Sequence, residues 1–172
     1  MEEKAKEMII YEEILREFNK KKVRYILVGG IAVNIHGYMR TTADLDILLE
    51  MEDANLRKVV KILKKHGYHV KQPVDPISIA DKATREDWIK NKNMKAFNFY
   101  KEDEFKEIDI IIKSSLSYDA AKKNIQRVKI GKMILPVIAI DDLIKMKQGA
   151  ARDIDKIDIK MLRKIKGLKR KR

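Results

Sequence analysis

Val28-Gly29-Gly30-Ile31-Ala32-Val33, followed after His36-Gly37 by Arg40-Thr41-Thr42-Ala43-Asp44-Leu45-Asp46-Ile47, is the stretch on which the reading of this chain turns. Residues 23–28 are rich in β-branched and aromatic side chains and run straight into the glycine pair, after which residues 31–36 resume an apolar, helix-like pattern. That order predicts strand, tight glycine turn, short helix. Such a turn exposes backbone N–H groups at a helix N-terminus, a ready place for a phosphate. Residues 44–49 predict a second strand, and on a strand positions i and i+2 point to one face. Asp44 and Asp46 then repel each other unless a cation intervenes, which makes them candidate metal ligands. The plainer alternative is that one or both end the strand or cap a neighbouring element.

Downstream, Asp53 reads as the N-cap of a helix over residues 54–65 that stops at Gly67, with a short strand at residues 68–71. Pro73 and Pro76 open a stretch that reads as irregular through about Asn93, with Trp88 set among charges. Residues 96–100 and 105–112 predict neighbouring strands joined by a Lys101-Glu102-Asp103-Glu104 turn. Asp109 lies inside the apolar run Ile108-Asp109-Ile110-Ile111-Ile112, where an unpaired charge is expensive to bury and a nearby metal would relieve the cost. It is the candidate third carboxylate, unless it faces solvent with Glu107. Residues 126–130 and 133–137 flank Gly131-Lys132 as a hairpin. A helix starts at Asp141, and a second runs from Asp153 to about Ile165. Upstream, residues 3–18 place Met8, Ile9, Leu15 and Phe18 at roughly helical spacing, predicting a surface helix that stops at Asn19. The whole reads as an α/β (α+β) fold: a mixed β-sheet flanked by helices, closed by a C-terminal helical pair.

Composition bounds the chemistry. With 172 residues, 45% of them hydrophobic, the chain suits one domain: a core over about 21–139, C-terminal helices over about 140–166 and a basic tail at 167–172. The absence of cysteine excludes disulfides, zinc thiolate sites and thiol catalysis, so a metal would be held by oxygen or imidazole and would be hard, such as Mg²⁺ or Mn²⁺. The first eighteen residues lack a signal-peptide layout and no apolar run reaches the length of a membrane span, which points to the cytoplasm and to no membrane partner. Of the net charge of +13, eight positive charges fall in residues 160–172, which contain no acid. Such an end can hold an anionic polymer or can simply be a solvated, frayed terminus. The charged content of 38%, with much Lys and Ile, also fits a thermophile.

The glycine pair followed by Asp-hydrophobic-Asp-hydrophobic resembles the signature of the polymerase-β-like nucleotidyltransferases. The longer string from Val28 to Asp46 is similar to the minimal nucleotidyltransferases that include AbiEii-type toxins. Asp142-Leu143, Lys147, Arg152, Asp155, Asp158 and Leu162 resemble a second pattern found in the C-terminal helices of that branch. The resemblance implies a palm-like fold and the transfer of a nucleoside monophosphate, AMP in the first instance, from an NTP to a hydroxyl of RNA (such as tRNA), protein or a small molecule. It implies that Asp44, Asp46 and Asp109 bind two divalent ions, Mg²⁺ or Mn²⁺. Gly29, Gly30, Arg40 and Thr42 would lie on the NTP phosphates, with Lys147 and Arg152 closing from the other side. Arg40, Lys147 and Arg152 can equally be surface residues, and Asp155 can anchor one of these cations or face water. His36 reads as a structural end to its helix, and Thr42 can merely support the strand. Many superfamily members carry serine where this chain has Gly30; the toxin-like branch also has Gly-Gly. Two other readings remain: a non-catalytic nucleotide- or RNA-binding module, and a toxin component restrained by an antitoxin partner.

Overall fold

The computed structural model describes residues 10–171. The expected N-terminal helix is α1 (Glu12–Lys20); the part of that expectation covering residues 3–9 lies outside the described residues. Next come β1 (Tyr25–Leu27), α2 (Gly29–His36), β2 (Leu45–Leu49), α3 (Asp53–Lys65) and β3 (His69–Val70). A 3-10 turn (Pro76–Ala80), α4 (Lys82–Asn91), β4 (Ala96–Lys101), β5 (Lys106–Ile111) and α5 (Tyr118–Ala121) follow. The chain ends in β6 (Gln126–Ile130), β7 (Met133–Val137), α6 (Ile140–Ala150) and α7 (Asp153–Arg170). The strands form one seven-stranded sheet in the order β3-β4-β5-β2-β1-β7-β6. It is mixed, because β2 runs parallel to β5 and β1 parallel to β7, while the other neighbours are antiparallel.

The two faces of the sheet differ in kind. Alternation along β2 and β5 sends Leu45, Ile47, Leu49, Ile108 and Ile110 to one side, where all are buried. Helices cover that side: Phe18 of α1 meets Tyr25 edge-on with ring centroids 5.4 Å apart, and Trp88 of α4 stacks on Phe97 at 5.1 Å. The apolar stripe of α3, Leu56, Val59, Val60 and Leu63, is equally buried beside α1. Asp46 and Asp109 therefore point to the opposite side, the side on which α2 sits. Among the described residues no helix is long and apolar enough to cross a membrane.

Several local expectations need correction. The stretch 73–93 is not irregular: Asp75 and Asp81 cap the 3-10 turn and α4 through the N–H groups of Ile77 and Thr84. Arg85 fixes the segment by donating to the Ile79 and Met51 carbonyls at 2.6 and 3.0 Å. Asp53 lies inside α3 rather than capping it. Phe105 is not a strand residue; it takes a left-handed conformation (φ 50°) after a 3-10 turn and is 90% exposed. Only His69 and Val70 of the expected strand at 68–71 pair with β4. α6 begins at Ile140, and α7 carries the basic tail in helix as far as Arg170, where Lys169 and Arg170 suit the negative end of the helix dipole.

Candidate functional site

β1 delivers the chain into α2 with no intervening loop: Val28 is the N-cap and both glycines belong to the first helical turn. The N–H groups of that turn have no intrahelical acceptor. Gly29 adopts φ +65°, and a Cβ there would fall onto the carboxylate of Asp46. Only glycine allows this conformation and this approach together. A Cβ on Gly30 would lie 2.5 Å from Thr42 Oγ1 and 3.1 Å from Arg40 Nη2. Thr42 thus fills the space that a serine side chain would need at position 30, which accounts for the Gly-Gly pair.

The carboxylates are neighbours on the face of the sheet that carries α2. Asp46 and Asp109 are register partners on the parallel strands β2 and β5, and Asp44 immediately precedes β2. Burial, then repulsion from Asp109 and Asp44, pushes the Asp46 carboxyl up to about 6, with Lys147 and Arg152 pulling the other way. Asp44 is also raised, by burial and then by Glu107 and Asp109. Asp109 is raised by burial against the lowering effect of Asn98. Among the described residues no three acidic or imidazole side chains close into a metal-holding group; the aspartates share a face without forming a cage.

Three residues that sequence reasoning missed shape this face. Asn98 on β4 is the register partner of Asp109 and donates to its Oδ1 at 2.7 Å. Gln72 orients that amide, donating to Asn98 Oδ1 at 2.7 Å and accepting its backbone N–H at 3.2 Å. A signal existed in Phe97-Asn98-Phe99, where one polar residue interrupts an aromatic strand. Tyr11 ties the two carboxylate-bearing segments together from behind, its hydroxyl lying 2.5 Å from the Ala43 carbonyl and 2.8 Å from that of Glu107.

The expected phosphate cations are all engaged with acids. Arg40 grips Asp158 with both Nε and Nη2, at 2.9 and 3.0 Å. Lys147, only 5% exposed, donates to Asp155 at 3.1 Å and to Asp158 at 2.7 Å, and both acids are fully buried. Arg152 meets Asp155 at 2.8 Å, yet its side chain is 69% exposed. Burial would raise Asp155, but Arg152 and Lys147 outweigh it and hold that carboxyl below its ordinary range. Neither Lys147 nor Asp155 faces water, as the plainer reading would have had them. His36 is buried, its Nε2 donating to the Ile138 carbonyl at 2.8 Å, a tie between α2 and the segment leading into α6.

Residues 3–144 match the family described as uncharacterised nucleotidyltransferases. The chain belongs to that family. The match takes in the glycine turn and all three aspartates and stops short of Lys147 and α7. Among solved structures, this nucleotidyltransferase is similar to the lincomycin-bound crystal structure of the lincosamide antibiotic adenylyltransferase LnuA. The TM-score is 0.60 at 22% identity, over 93% of this chain and 96% of that one. At that identity the likeness is one of fold. Comparison with curated protein sequences gives no match.

Proposed function

We propose that this nucleotidyltransferase moves AMP from ATP to a hydroxyl group of a small molecule, using the face that carries Asp44, Asp46 and Asp109. The observation behind the reading is the abutment of Gly29 on Asp46, which puts the first-turn N–H groups of α2 beside carboxylates that burial and mutual repulsion raise. A triphosphate needs both features, donors for its outer phosphates and a cation to offset its charge. The carboxylates suit hard divalent ions because all their donor atoms are oxygen. Asp44, Asp46 and Asp109 would hold two such ions, Mg²⁺ or Mn²⁺, which when bound neutralise charge on the triphosphate and lower the pKa of the acceptor hydroxyl.

The N–H groups of Gly29 and Gly30 would face the β- and γ-phosphates, with the Thr42 hydroxyl alongside. Arg152 has the exposure to close over them, whereas Lys147 would act through the two aspartates it binds. Asn98, by engaging one oxygen of Asp109, leaves the other directed to the site. The acceptor oxygen attacks the α-phosphorus, the bond to the bridging oxygen breaks, pyrophosphate leaves with that electron pair, and the acceptor proton passes to water. A small acceptor is favoured by the likeness to an enzyme that modifies a lincosamide antibiotic, since the two chains cover each other almost entirely.

The test is incubation with each α-labelled NTP, with Mg²⁺ or Mn²⁺, and separate small-molecule, RNA and protein fractions of a cell extract. Label from ATP should enter the small-molecule fraction. Label in RNA or protein would overturn the acceptor class and restore the RNA-directed or AbiEii-like, antitoxin-restrained alternative. Label in none would count against transfer.

A further inference from the structure

Arg40 is held at both ends. Its backbone N–H donates to Asn34 Oδ1 at 3.1 Å and its carbonyl accepts from Asn34 Nδ2 at 2.8 Å. Its guanidinium makes the two bonds to Asp158 and a third, from Nη1, to the Thr41 carbonyl at 3.1 Å. The same guanidinium packs on the first turn of α2, where Nη2 is 3.1 Å from the place a Gly30 Cβ would occupy. Asp158 also accepts from Lys147 of α6, and Lys147 donates as well to Asp155, which in turn accepts from Arg152. Five charged residues thus join the loop after α2 to α6 and α7 through an unbroken chain of ion pairs. If Arg40 swung out to grip a phosphate, fully buried Asp158 would keep Lys147 as its sole counter-ion. Such a loss is strongly unfavourable. The two-pronged grip on a carboxylate is also a geometry that lysine cannot supply.

We propose that Arg40 is a positioning residue: its paired bonds to Asp158 dock α7 against the Gly29–Gly30 turn and so set Arg152 beside the phosphate site. The proposal rests on the reading of that turn as the phosphate cradle. It assigns to Arg40 a role distinct from the direct phosphate contact that its place in the sequence suggests.

The test compares wild type with Arg40→Lys, Arg40→Ala, Asp158→Asn and the Arg40→Ala/Asp158→Asn double variant, each checked for folding by circular dichroism. Two quantities are read: the affinity for ATP with Mg²⁺ by calorimetry, and the rate of tryptic cleavage within α7. Docking predicts that each single variant weakens ATP binding by about tenfold and that the double is no worse than either single. It also predicts that Arg40→Lys fails to rescue and that α7 is cut several-fold faster in every variant. Direct phosphate contact predicts the contrary: Asp158→Asn leaves ATP affinity unchanged or tightens it, while Arg40→Lys retains most of it as a point charge. Either of those results overturns the proposal, as does wild-type affinity in all variants. Should Asp158→Asn not fold, the contrast between Arg40→Lys and Arg40→Ala decides alone. If wild type binds no ATP, the cradle reading fails; unchanged cleavage of α7 with ATP binding intact would sink the docking role separately.

Discussion

Two groups of carboxylates withdrawn from water in this protein keep different company. Asp155 and Asp158 are fully buried, yet every oxygen that matters meets Arg40, Lys147 or Arg152, and Asp155 is held in its charged form. Asp44, Asp46 and Asp109 are only partly buried, yet they face one another and an amide, and all three carboxyls are raised. The first group is compensated from within and builds structure; the second is offset only in part, by Lys71, Lys147 and Arg152, so that burial and mutual repulsion still prevail. Incompletely offset charge on one face of the sheet, beside helix N–H groups with no intrahelical acceptor, is the arrangement a cation-bearing polyphosphate would relieve.

The largest effect should come from breaking the compensated cluster. Lys147→Met strips both buried aspartates of a partner and should destabilise the fold by about 3–5 kcal/mol, read as a lower urea midpoint. An unchanged midpoint would mean that the cluster is solvated and the contrast false. Gly29→Ala comes next, since it combines a left-handed backbone with collision on Asp46. It should cost roughly 1–3 kcal/mol and abolish nucleotidyl transfer even at temperatures where the variant remains folded.

Asp46→Asn should move stability the other way. The folded chain holds this proton up to about pH 6, well above the ordinary value of 3.8. Wild type therefore loses stability as pH rises through that window, and the loss is complete above it. In EDTA near pH 7.5 the variant should be more stable by roughly 1–3 kcal/mol, an advantage that vanishes near pH 4. A variant less stable than wild type at pH 7.5 would show that Asp46 is compensated after all. The smallest effect concerns the serine found in many relatives of the superfamily. Gly30→Ser should cost about 1 kcal/mol through its clash with Thr42, and Thr42→Ala in the same chain should recover most of the loss in thermal midpoint.

What could be read in advance follows from the range of the forces involved. β2, β5 and the β6–β7 hairpin announce themselves because alternation and turn residues are local signals, and the same-face placement of Asp46 follows from strand periodicity alone. α4 escaped because Pro73 and Pro76 dominate its approach and its buried residues, Arg85 and Trp88, make a weak apolar stripe. The partner of Arg40 was illegible for another reason. Asp158 lies 118 residues away, so nothing in the spacing around Arg40 could distinguish a guanidinium aimed at a phosphate from one committed to a buried acid. Asn98 and Gln72 likewise acquire meaning only when β4 is laid beside β5.

Central to the proposed reaction is the binding of nucleotide to the aspartate face through a divalent ion. Calorimetric titration of wild type with ATP should show binding in Mg²⁺ or Mn²⁺ and at least tenfold weaker binding in EDTA. Asp46→Asn and Asp109→Asn should each reduce the metal-supported affinity towards the EDTA level while remaining folded. ATP binding of equal strength with and without divalent ion, and undiminished in both variants, would contradict the assignment of this face as the site of the reaction.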